Sequence, residues 1–196
     1  MESGVADIRS FVAVEIDEAI ITRLSTVQQH LRGVGAQVSW VRPEGMHLTL
    51  KFLGNVPEHR LPEITHALET AVLSASPFRL SVIGVGGFPN LSRMRVVWAG
   101  IAQGAEALCA LAAAVDQQLA TVGFPREERP FSPHITLGRV KAPEGVHRLA
   151  ELLRTHEGES FGEMPVTHVR LMRSDLLPTG ARYTMLRSFP LLGTAA

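Results

Sequence analysis

The sequence contains one four-residue phrase twice, HLTL at residues 47–50 and HITL at residues 134–137. On a β-strand, alternate side chains point to the same face. The histidine and the threonine of each phrase would then share one face, while the apolar side chains between them anchor the strand in a core. One such strand is ordinary, because threonine is a favoured strand residue and a half-exposed histidine is tolerated there. The duplication is what suggests a function.

Two histidines at equivalent positions could face each other across a cleft and act as an acid and a base. The ordinary pKa of imidazole is about 6.5, so near neutral pH one ring can be neutral while the other is protonated. Neighbouring hydroxyls can donate hydrogen bonds to phosphoryl oxygens, and arginines can balance the charge. This combination suits phosphorus chemistry. The candidate residues are His47 and Thr49 in the first phrase and His134 and Thr136 in the second.

A metal site is disfavoured by the same motifs. Neither phrase contains a carboxylate, and the sequence has no H-E-x-x-H or C-x-x-C motif. Two histidines alone fall short of the three or four ligands that protein zinc sites use. The sequence therefore predicts catalysis without a bound metal.

The composition limits the partners and the compartment of the protein. The chain has 19 basic and 19 acidic residues among 196, so no long-range positive field would hold a polyanion along its length. Its single cysteine cannot form an internal disulfide, its start lacks a secretory signal pattern, and no apolar stretch approaches about 20 residues. We expect a cytoplasmic protein without a membrane span. Any nucleic acid would have to be bound locally, and the neutral charge favours a monomer.

Periodicity and turn residues predict eight strands and four helices. The predicted strands are residues 8–16, 37–41, 48–53, 78–85, 95–101, 134–140, 166–171 and 183–189. The predicted helices are residues 18–31, 58–74, 105–122 and 144–155. Each half of the chain carries two helices and one strand with the repeated phrase. The order predicts an α+β fold with two pseudo-symmetric lobes.

Longer stretches around the two phrases resemble the signature motifs of the 2H phosphoesterase superfamily. They are WVRPEGMHLTLKFLG at residues 40–54 and RPFSPHITLGR at residues 129–139. The resemblance is to the bacterial and archaeal RNA 2′,3′-cyclic phosphodiesterase branch, also called 2′-5′ RNA ligase, and it extends over nearly the whole chain. Ser10 stands where that family usually has an aliphatic residue, and Gly138 where alanine is commoner.

The resemblance implies that residues 1–196 form a single bilobal 2H phosphoesterase domain. Each lobe would be an antiparallel sheet with helices on its outer face, and the two histidines would face each other in the cleft between the lobes. It also implies that neither a metal nor a nucleotide cofactor takes part.

The same resemblance implies a reaction that opens a ribose 2′,3′-cyclic phosphate to a 2′-phosphate. His134 would be the general base that deprotonates the attacking water, and His47 the general acid that protonates O3′. The phosphoryl oxygens would be bound by Thr49, Thr136 and Arg139. Reversible, ATP-independent joining of such an end to a 5′-hydroxyl is a further expected activity.

Strand alternation also predicts on which face of the strand three residues near the two phrases lie. Arg139 would lie opposite to His134, so its participation requires the strand to end, twist or bulge at Gly138. Lys51 would share the face of the first histidine, where we interpret it as solvated surface. Phe52 would lie on the other face, where we interpret it as core.

Three arginines lie in loops before the two phrases: Arg42, Arg126 and Arg129. Each could contact a phosphate or a neighbouring nucleotide, although a surface role suits each of them as well. Two alternative functions also stay open. One is a phosphodiesterase for small cyclic nucleotides such as ADP-ribose cyclic phosphate, and the other is a non-catalytic module that binds RNA ends.

Overall fold

The computed structural model describes residues 7–178 and 180–193. Within these ranges the chain forms nine β-strands, four α-helices and two short 3-10 helices, at Pro43–Gly45 and Glu58–Arg60. The strands are β1 (Asp7–Glu15), β2 (Val38–Trp40), β3 (His47–Pro57), β4 (Phe78–Phe88), β5 (Val96–Ile101), β6 (His134–Val140), β7 (Ser160–Val166), β8 (His168–Leu177) and β9 (Gly180–Pro190). The α-helices are α1 (Glu18–Arg32), α2 (Leu61–Val72), α3 (Ala105–Thr121) and α4 (Val146–Thr155).

Across the described residues the strands form two antiparallel sheets. The strand order of the first sheet is β3-β1-β8-β9, and that of the second is β2-β6-β5-β4-β7. Helices α2 and α3 pack on the first sheet, whereas α1 and α4 pack on the second. The predicted α+β fold is therefore confirmed.

Each sheet takes strands from both halves of the sequence. Strand β2 crosses to the second sheet, where Trp40 pairs with Gly138 of β6. Strands β8 and β9 return to the first sheet, where Met172 pairs with Phe11 of β1. These crossings bring β3 of one sheet into contact with β6 of the other. The two strands with the repeated phrase therefore lie side by side where the sheets meet.

The sequence analysis missed one strand, and it predicted that the second helix begins too early. The strand predicted at residues 166–171 corresponds to β8, and strand β7 before it was not predicted. Gly162 and Pro165 weaken the strand pattern of β7, but β7 is the edge of its sheet, where a missing N–H donor is tolerated. The second helix begins at Leu61, since the preceding residues form a 3-10 turn.

Both strands with the repeated phrase contain a β-bulge directly after the threonine. In β3 the extra residue is Leu50, which has no partner in the register of β1. In β6 it is Leu137, which has no partner in the register of β5. An extra residue shifts the alternation of side chains by one position. Phe52 and Arg139 consequently return to the face that carries the histidines and threonines.

The first bulge overturns the interpretation of Lys51 as solvated surface, because the side chain points into the protein and is 3% exposed. Its Nζ donates hydrogen bonds to Asp116 Oδ1 on α3 at 2.5 Å and to the Pro125 carbonyl at 2.7 Å. A buried ammonium group is stable only when it is paired and hydrogen-bonded in this way. Lys51 therefore joins β3 to α3 and to the loop that leads to β6.

Asp116 is the centre of this buried network. Its carboxylate also accepts hydrogen bonds from Arg126 Nε at 2.6 Å and from the Glu127 amide at 3.2 Å. Burial alone would raise the pKa of Asp116, but the hydrogen bond and charge of Lys51, with the other two donors, outweigh it. The pKa of Asp116 therefore lies below its ordinary value. The carboxylate stays charged at neutral pH.

We expect Lys51→Met to lower the free energy of unfolding by about 3 kcal/mol, because it leaves a buried carboxylate without its nearest cation. Arg126→Met is the matched control, since it removes an exposed partner of the same carboxylate and should cost about 1 kcal/mol or less. Urea titrations at neutral pH measure both losses. Equal losses in the two variants would contradict the buried pair as the principal contact.

Candidate active site

A cavity of about 330 Å³ lies between the two sheets. Its walls include four of the five predicted site residues, His47, Thr49, Thr136 and Arg139. The first two come from β3 and the other two from β6. A bulge, one of the three irregularities that would allow Arg139 to participate, is therefore present, and both threonine hydroxyls belong to one site.

The fifth predicted residue, His134, stands on the same face of β6 as Thr136, about 6.6 Å along the strand. Its Nδ1 is 2.7 Å from the Ser132 carbonyl oxygen, and its ring meets Phe88 edge-on at 5.0 Å. A carbonyl can only accept, so Nδ1 carries the proton in this hydrogen bond. When the ring is neutral, Nε2 is then the nitrogen that can take a proton.

His47 is enclosed by aromatic rings. Phe11 stacks on it at a centroid distance of 4.6 Å, and Tyr183 meets it edge-on at 5.0 Å. Burial lowers the pKa of His47 from its ordinary 6.5 to about 4, although a hydrogen bond with the Gly45 backbone favours the charged form. His47 is therefore neutral at pH 7 in the ligand-free protein.

The two histidines are held in the same way but differ in their surroundings. Each ring has a hydrogen bond to the backbone of the residue two positions earlier, Gly45 for His47 and Ser132 for His134. Such a contact fixes the orientation of the ring and which nitrogen it leaves free. The aromatic enclosure of His47 by Phe11 and Tyr183 makes the pair asymmetric.

Tyr183 adds a hydroxyl group to this region, and two arginines lie near it. Burial raises the pKa of this tyrosine, while the nearby charges of Arg139 and Arg9 lower it by less. The phenol therefore stays protonated and can donate a hydrogen bond at neutral pH. Both arginines and Tyr183 line the cavity, so its walls favour an anion.

The four basic residues whose roles the sequence left open lie elsewhere. Among the described residues, the lining of the cavity includes none of Lys51, Arg42, Arg126 and Arg129. Lys51 and Arg126 pair with Asp116, as described above, while the side chains of Arg42 and Arg129 are exposed.

Several residues that line the cavity were not predicted as site residues, among them Arg9, Phe11, Phe52 and Tyr183. A signal for two of them was present, because alternation along β1 places Arg9 and Phe11 on one face, so that an arginine and an aromatic ring share that face. Phe52 was interpreted as core, and this was wrong because the bulge turns it outward. Nothing local marks Tyr183, the only tyrosine of the sequence.

The sequence also contains a serine motif of a kind found in hydrolases, but this motif does not lie on the strand-to-helix turn that such hydrolases have. The letters GESFG at residues 158–162 fit the G-x-S-x-G pattern of hydrolases whose nucleophilic serine lies on a strand-to-helix turn. Here Ser160 follows helix α4 and begins the edge strand β7. The order of elements is the reverse, so this serine is not on a nucleophile elbow.

Comparison with known proteins identifies the family. A model of the 2′-5′ RNA ligase superfamily matches residues 13–176. The chain belongs to this superfamily. The 2H phosphoesterase resemblance in the sequence is thereby confirmed.

Individual relatives of this superfamily member match over nearly the whole chain. An RNA 2′,3′-cyclic phosphodiesterase of Methanothermobacter thermautotrophicus is 39% identical over 94% of the chain and 99% of its own length. A protein of the same name from Archaeoglobus fulgidus is 42% identical over 92% and 99%.

Solved structures agree with these matches. A protein of Thermus thermophilus has a TM-score of 0.80 and 33% identity, covering 96% of this chain and 100% of its own. Escherichia coli LigT complexed with 3′-AMP has a TM-score of 0.73 and 27% identity, covering 94% and 98%.

Two further findings concern metal sites and membrane-spanning helices. In the part of the chain that the structure describes, no three histidine, cysteine, aspartate or glutamate side chains come together as a metal site. None of the described helices combines the length and the hydrophobicity that a membrane span requires.

We expect the His47 ring to titrate near pH 4 in the ligand-free protein, because Phe11 and Tyr183 exclude water from it. Inorganic phosphate should raise the midpoint, since an anion in the cavity stabilises the imidazolium. NMR of protein with 13C-labelled histidine measures both midpoints, and His47→Gln assigns the resonance. A ligand-free midpoint at the ordinary value of 6.5 would refute the desolvation by the two rings.

Proposed function

We propose that this protein is an RNA 2′,3′-cyclic phosphodiesterase that opens the cyclic phosphate at RNA ends or on nucleotides to a 2′-phosphate. The observation that carries the proposal is one cavity lined by His47, by two threonine hydroxyls and by Arg139, with His134 two residues before Thr136 on the same strand. The near full-length relatives named RNA 2′,3′-cyclic phosphodiesterase support the same activity.

The two histidines move protons at opposite ends of the displacement. Nε2 of neutral His134 takes a proton from water as the water oxygen bonds to phosphorus. The bond from phosphorus to O3′ breaks, and His47 donates a proton to O3′. The phosphate remains on O2′ as a monoester. Each proton transfer contributes about 10² to 10⁴-fold to the rate.

Substrate binding charges His47. Its ring is neutral in the ligand-free protein, because burial lowers its pKa to about 4. A cyclic phosphodiester carries a negative charge, and an opposite charge within about 4 to 6 Å raises the pKa of a histidine. The enzyme therefore takes up a proton as the anion enters the cavity. His47 becomes an acid only when there is a leaving group to protonate.

The two threonines and Arg139 bind the non-bridging oxygens of the phosphoryl group. Thr49 and Thr136 come from the two strands that meet between the sheets, so their hydroxyls approach the phosphorus from both sides. Arg139 supplies a charged donor for the charge that develops there. Removing one such donor typically costs about 10² to 10³-fold in rate.

The same residues support reversible, ATP-independent 2′-5′ joining of RNA. A 5′-hydroxyl takes the place of water, with His134 again as base and His47 again as acid. In the reverse direction, cleavage of the 2′-5′ linkage, the two histidines exchange their roles because of microscopic reversibility.

We expect an oligonucleotide with a 2′,3′-cyclic phosphate end to be converted to the 2′-phosphate in the presence of EDTA. His47→Ala and His134→Ala should each lower kcat by about 10² to 10⁴-fold, because each removes one proton transfer. His66→Ala, an exposed histidine on α2, is the matched control and should keep full activity. Mass spectrometry and phosphatase mapping identify the product.

Each other outcome has a distinct meaning. A 3′-phosphate product would contradict the assignment of base and acid. Full activity in either histidine variant would reject the two-histidine mechanism. Binding of the RNA end without turnover would indicate the non-catalytic module, and turnover confined to ADP-ribose cyclic phosphate would indicate the small-molecule phosphodiesterase.

The protein also acts, in this proposal, as a monomeric single bilobal domain in the cytoplasm. The strand crossings between the sheets support one domain, since neither sheet is built from a continuous segment. Light scattering after gel filtration should give one species near 21.3 kDa. A mass of twice that value would contradict the monomer.

A further inference from the structure

The second sheet carries a groove of about 420 Å³ that is separate from the cavity described above. Trp98 of β5 and Ile83 of β4 stand in its walls, and three glycines of β4 line it as well, Gly84, Gly86 and Gly87. Trp98 is half-buried and Ile83 is 37% exposed. The proposed proton transfers use none of these residues, so the groove is available to another part of a substrate.

The pairing of the strands places the groove beside the second repeated phrase. Trp98 is directly opposite Thr136 in the ladder of β5 and β6, so the two side chains share a face with their Cβ atoms about 5 Å apart. The ring of Phe88 lies 5.2 Å from that of Trp98 and 5.0 Å from that of His134. Aromatic rings therefore lead from the histidine of this phrase to the groove.

The groove and the cavity lie on different sides of this phrase. The strand order of the second sheet is β2-β6-β5-β4-β7. In this sheet the cavity takes Thr136 and Arg139 from β6, which contacts β3, whereas the groove is lined from β5 and β4. A ligand in the groove therefore approaches the phosphoryl group from the side remote from His47 and Thr49.

The lining of the groove suits a flat, uncharged group. Among the described residues it contains one charged residue, Glu157, and no cation, whereas Arg9 and Arg139 line the cavity. The indole of Trp98 lies against Gly86, where a Cβ atom would be 2.4 Å from Cζ2 of the ring. Glycine at this position therefore makes room for the ring on the sheet. Such a ring binds nucleic-acid bases by stacking, whatever their identity.

The direction of the proposed displacement indicates which base this is. Attacking and leaving oxygens lie roughly in line, on opposite sides of the phosphorus. His47 serves the 3′-oxygen, and His134 serves the oxygen that attacks from the other side. When that oxygen is a 5′-hydroxyl, the nucleoside that carries it extends from His134 toward Phe88 and Trp98.

We propose that the groove is the subsite for the nucleoside with the 5′-hydroxyl, and that the base of this nucleoside stacks on Trp98 beside Ile83. This inference rests on the proposed function, because it names where the second RNA end lies in the joining reaction. The same nucleoside is the leaving group when a 2′-5′ linkage is cleaved. Water has no base, so hydrolysis of a cyclic phosphate does not depend on the groove.

Cleavage of adenylyl-(2′-5′)-adenosine tests the subsite. The 3′-hydroxyl gives its proton to His47 and bonds to phosphorus, the bond from phosphorus to O5′ breaks, and His134 donates a proton to O5′. The products are adenosine 2′,3′-cyclic phosphate and adenosine. Adenosine 2′-(methyl phosphate) undergoes the same bond changes but releases methanol, so it places no base in the groove.

Trp98→Leu should lower kcat/KM for the dinucleotide roughly 10- to 100-fold, mainly through KM, because it removes the stacking contact. The same variant should leave the methyl diester and adenosine 2′,3′-cyclic phosphate unchanged. Trp98→Tyr should retain activity on all three substrates, because it keeps an aromatic ring. Chromatography of the released adenosine or methanol measures the two cleavage reactions.

A second pair of variants leaves the indole in place. Ile83→Glu puts an unpaired charge beside the base, and covering a charge without a partner is costly, so it should also lower activity on the dinucleotide alone. Leu73→Glu is the matched control. It makes the same kind of change at a side chain that is 59% exposed beyond α2, and it should alter no substrate. Circular dichroism before each assay confirms that the variants are folded.

Equal losses on the dinucleotide and the methyl diester, or no loss on either, would overturn the subsite. Hydrolysis of the cyclic phosphate by a wild-type protein that does not cleave the dinucleotide would also overturn it and would leave the proposed hydrolase intact.

A wild-type protein that turns over none of the three substrates would instead overturn the proposed function. NMR of the indole N–H groups then decides the subsite, with Trp98→Tyr assigning the Trp98 resonance. A shift of this resonance with adenosine but not with ribose supports the subsite, and the same response to both compounds overturns it.

Discussion

The β-bulge that follows each repeated phrase determines which side chains reach the cavity. Without the extra residue in each strand, Lys51 would face the cavity and Phe52 and Arg139 would point away from it. The buried pair of Lys51 and Asp116 holds the first bulge in place. In the second strand the bulge residue is followed by Gly138, which packs against Val38 and Trp40 where a larger side chain would not fit. One kind of irregularity, stabilised differently in the two strands, thus builds both walls of the site.

The second determinant of the site is the unequal solvation of its two histidines. Phe11 and Tyr183 exclude water from His47, and burial then disfavours its imidazolium form. His134 has its Nδ1 committed to a carbonyl, which leaves Nε2 as its proton acceptor. In the proposed reaction the negative charge of the substrate stabilises the imidazolium form of His47 and so offsets the effect of burial. Binding energy is thereby coupled to the protonation state that the leaving group needs.

The crossing of strands between the sheets explains how residues far apart in sequence form one site. Strands β2, β8 and β9 each join the sheet that the other half of the chain begins. The strands β3 and β6 are held in contact by these exchanges, and the threonines of both strands line one cavity. The loop before β6 is tied to β3 through the Lys51 contact with Pro125. Both walls of the cavity are therefore fixed to each other by several independent connections.

The sequence by itself determined the α+β class, the helices, and the strand faces that carry His47 and His134, because these depend on local periodicity. It also indicated that Arg139 could reach the site only if the strand ended, twisted or bulged at Gly138, and the bulge lies one residue earlier, at Leu137. Only the tertiary structure decided that Lys51 is buried, that Phe52 is exposed, and that Tyr183 covers His47. The physical reason is that a bulge reverses the alternation from which strand faces are inferred, and its position depends on pairing with β1 and β5. The enclosure of a histidine by rings from β1 and β9 likewise depends on contacts that no local pattern contains.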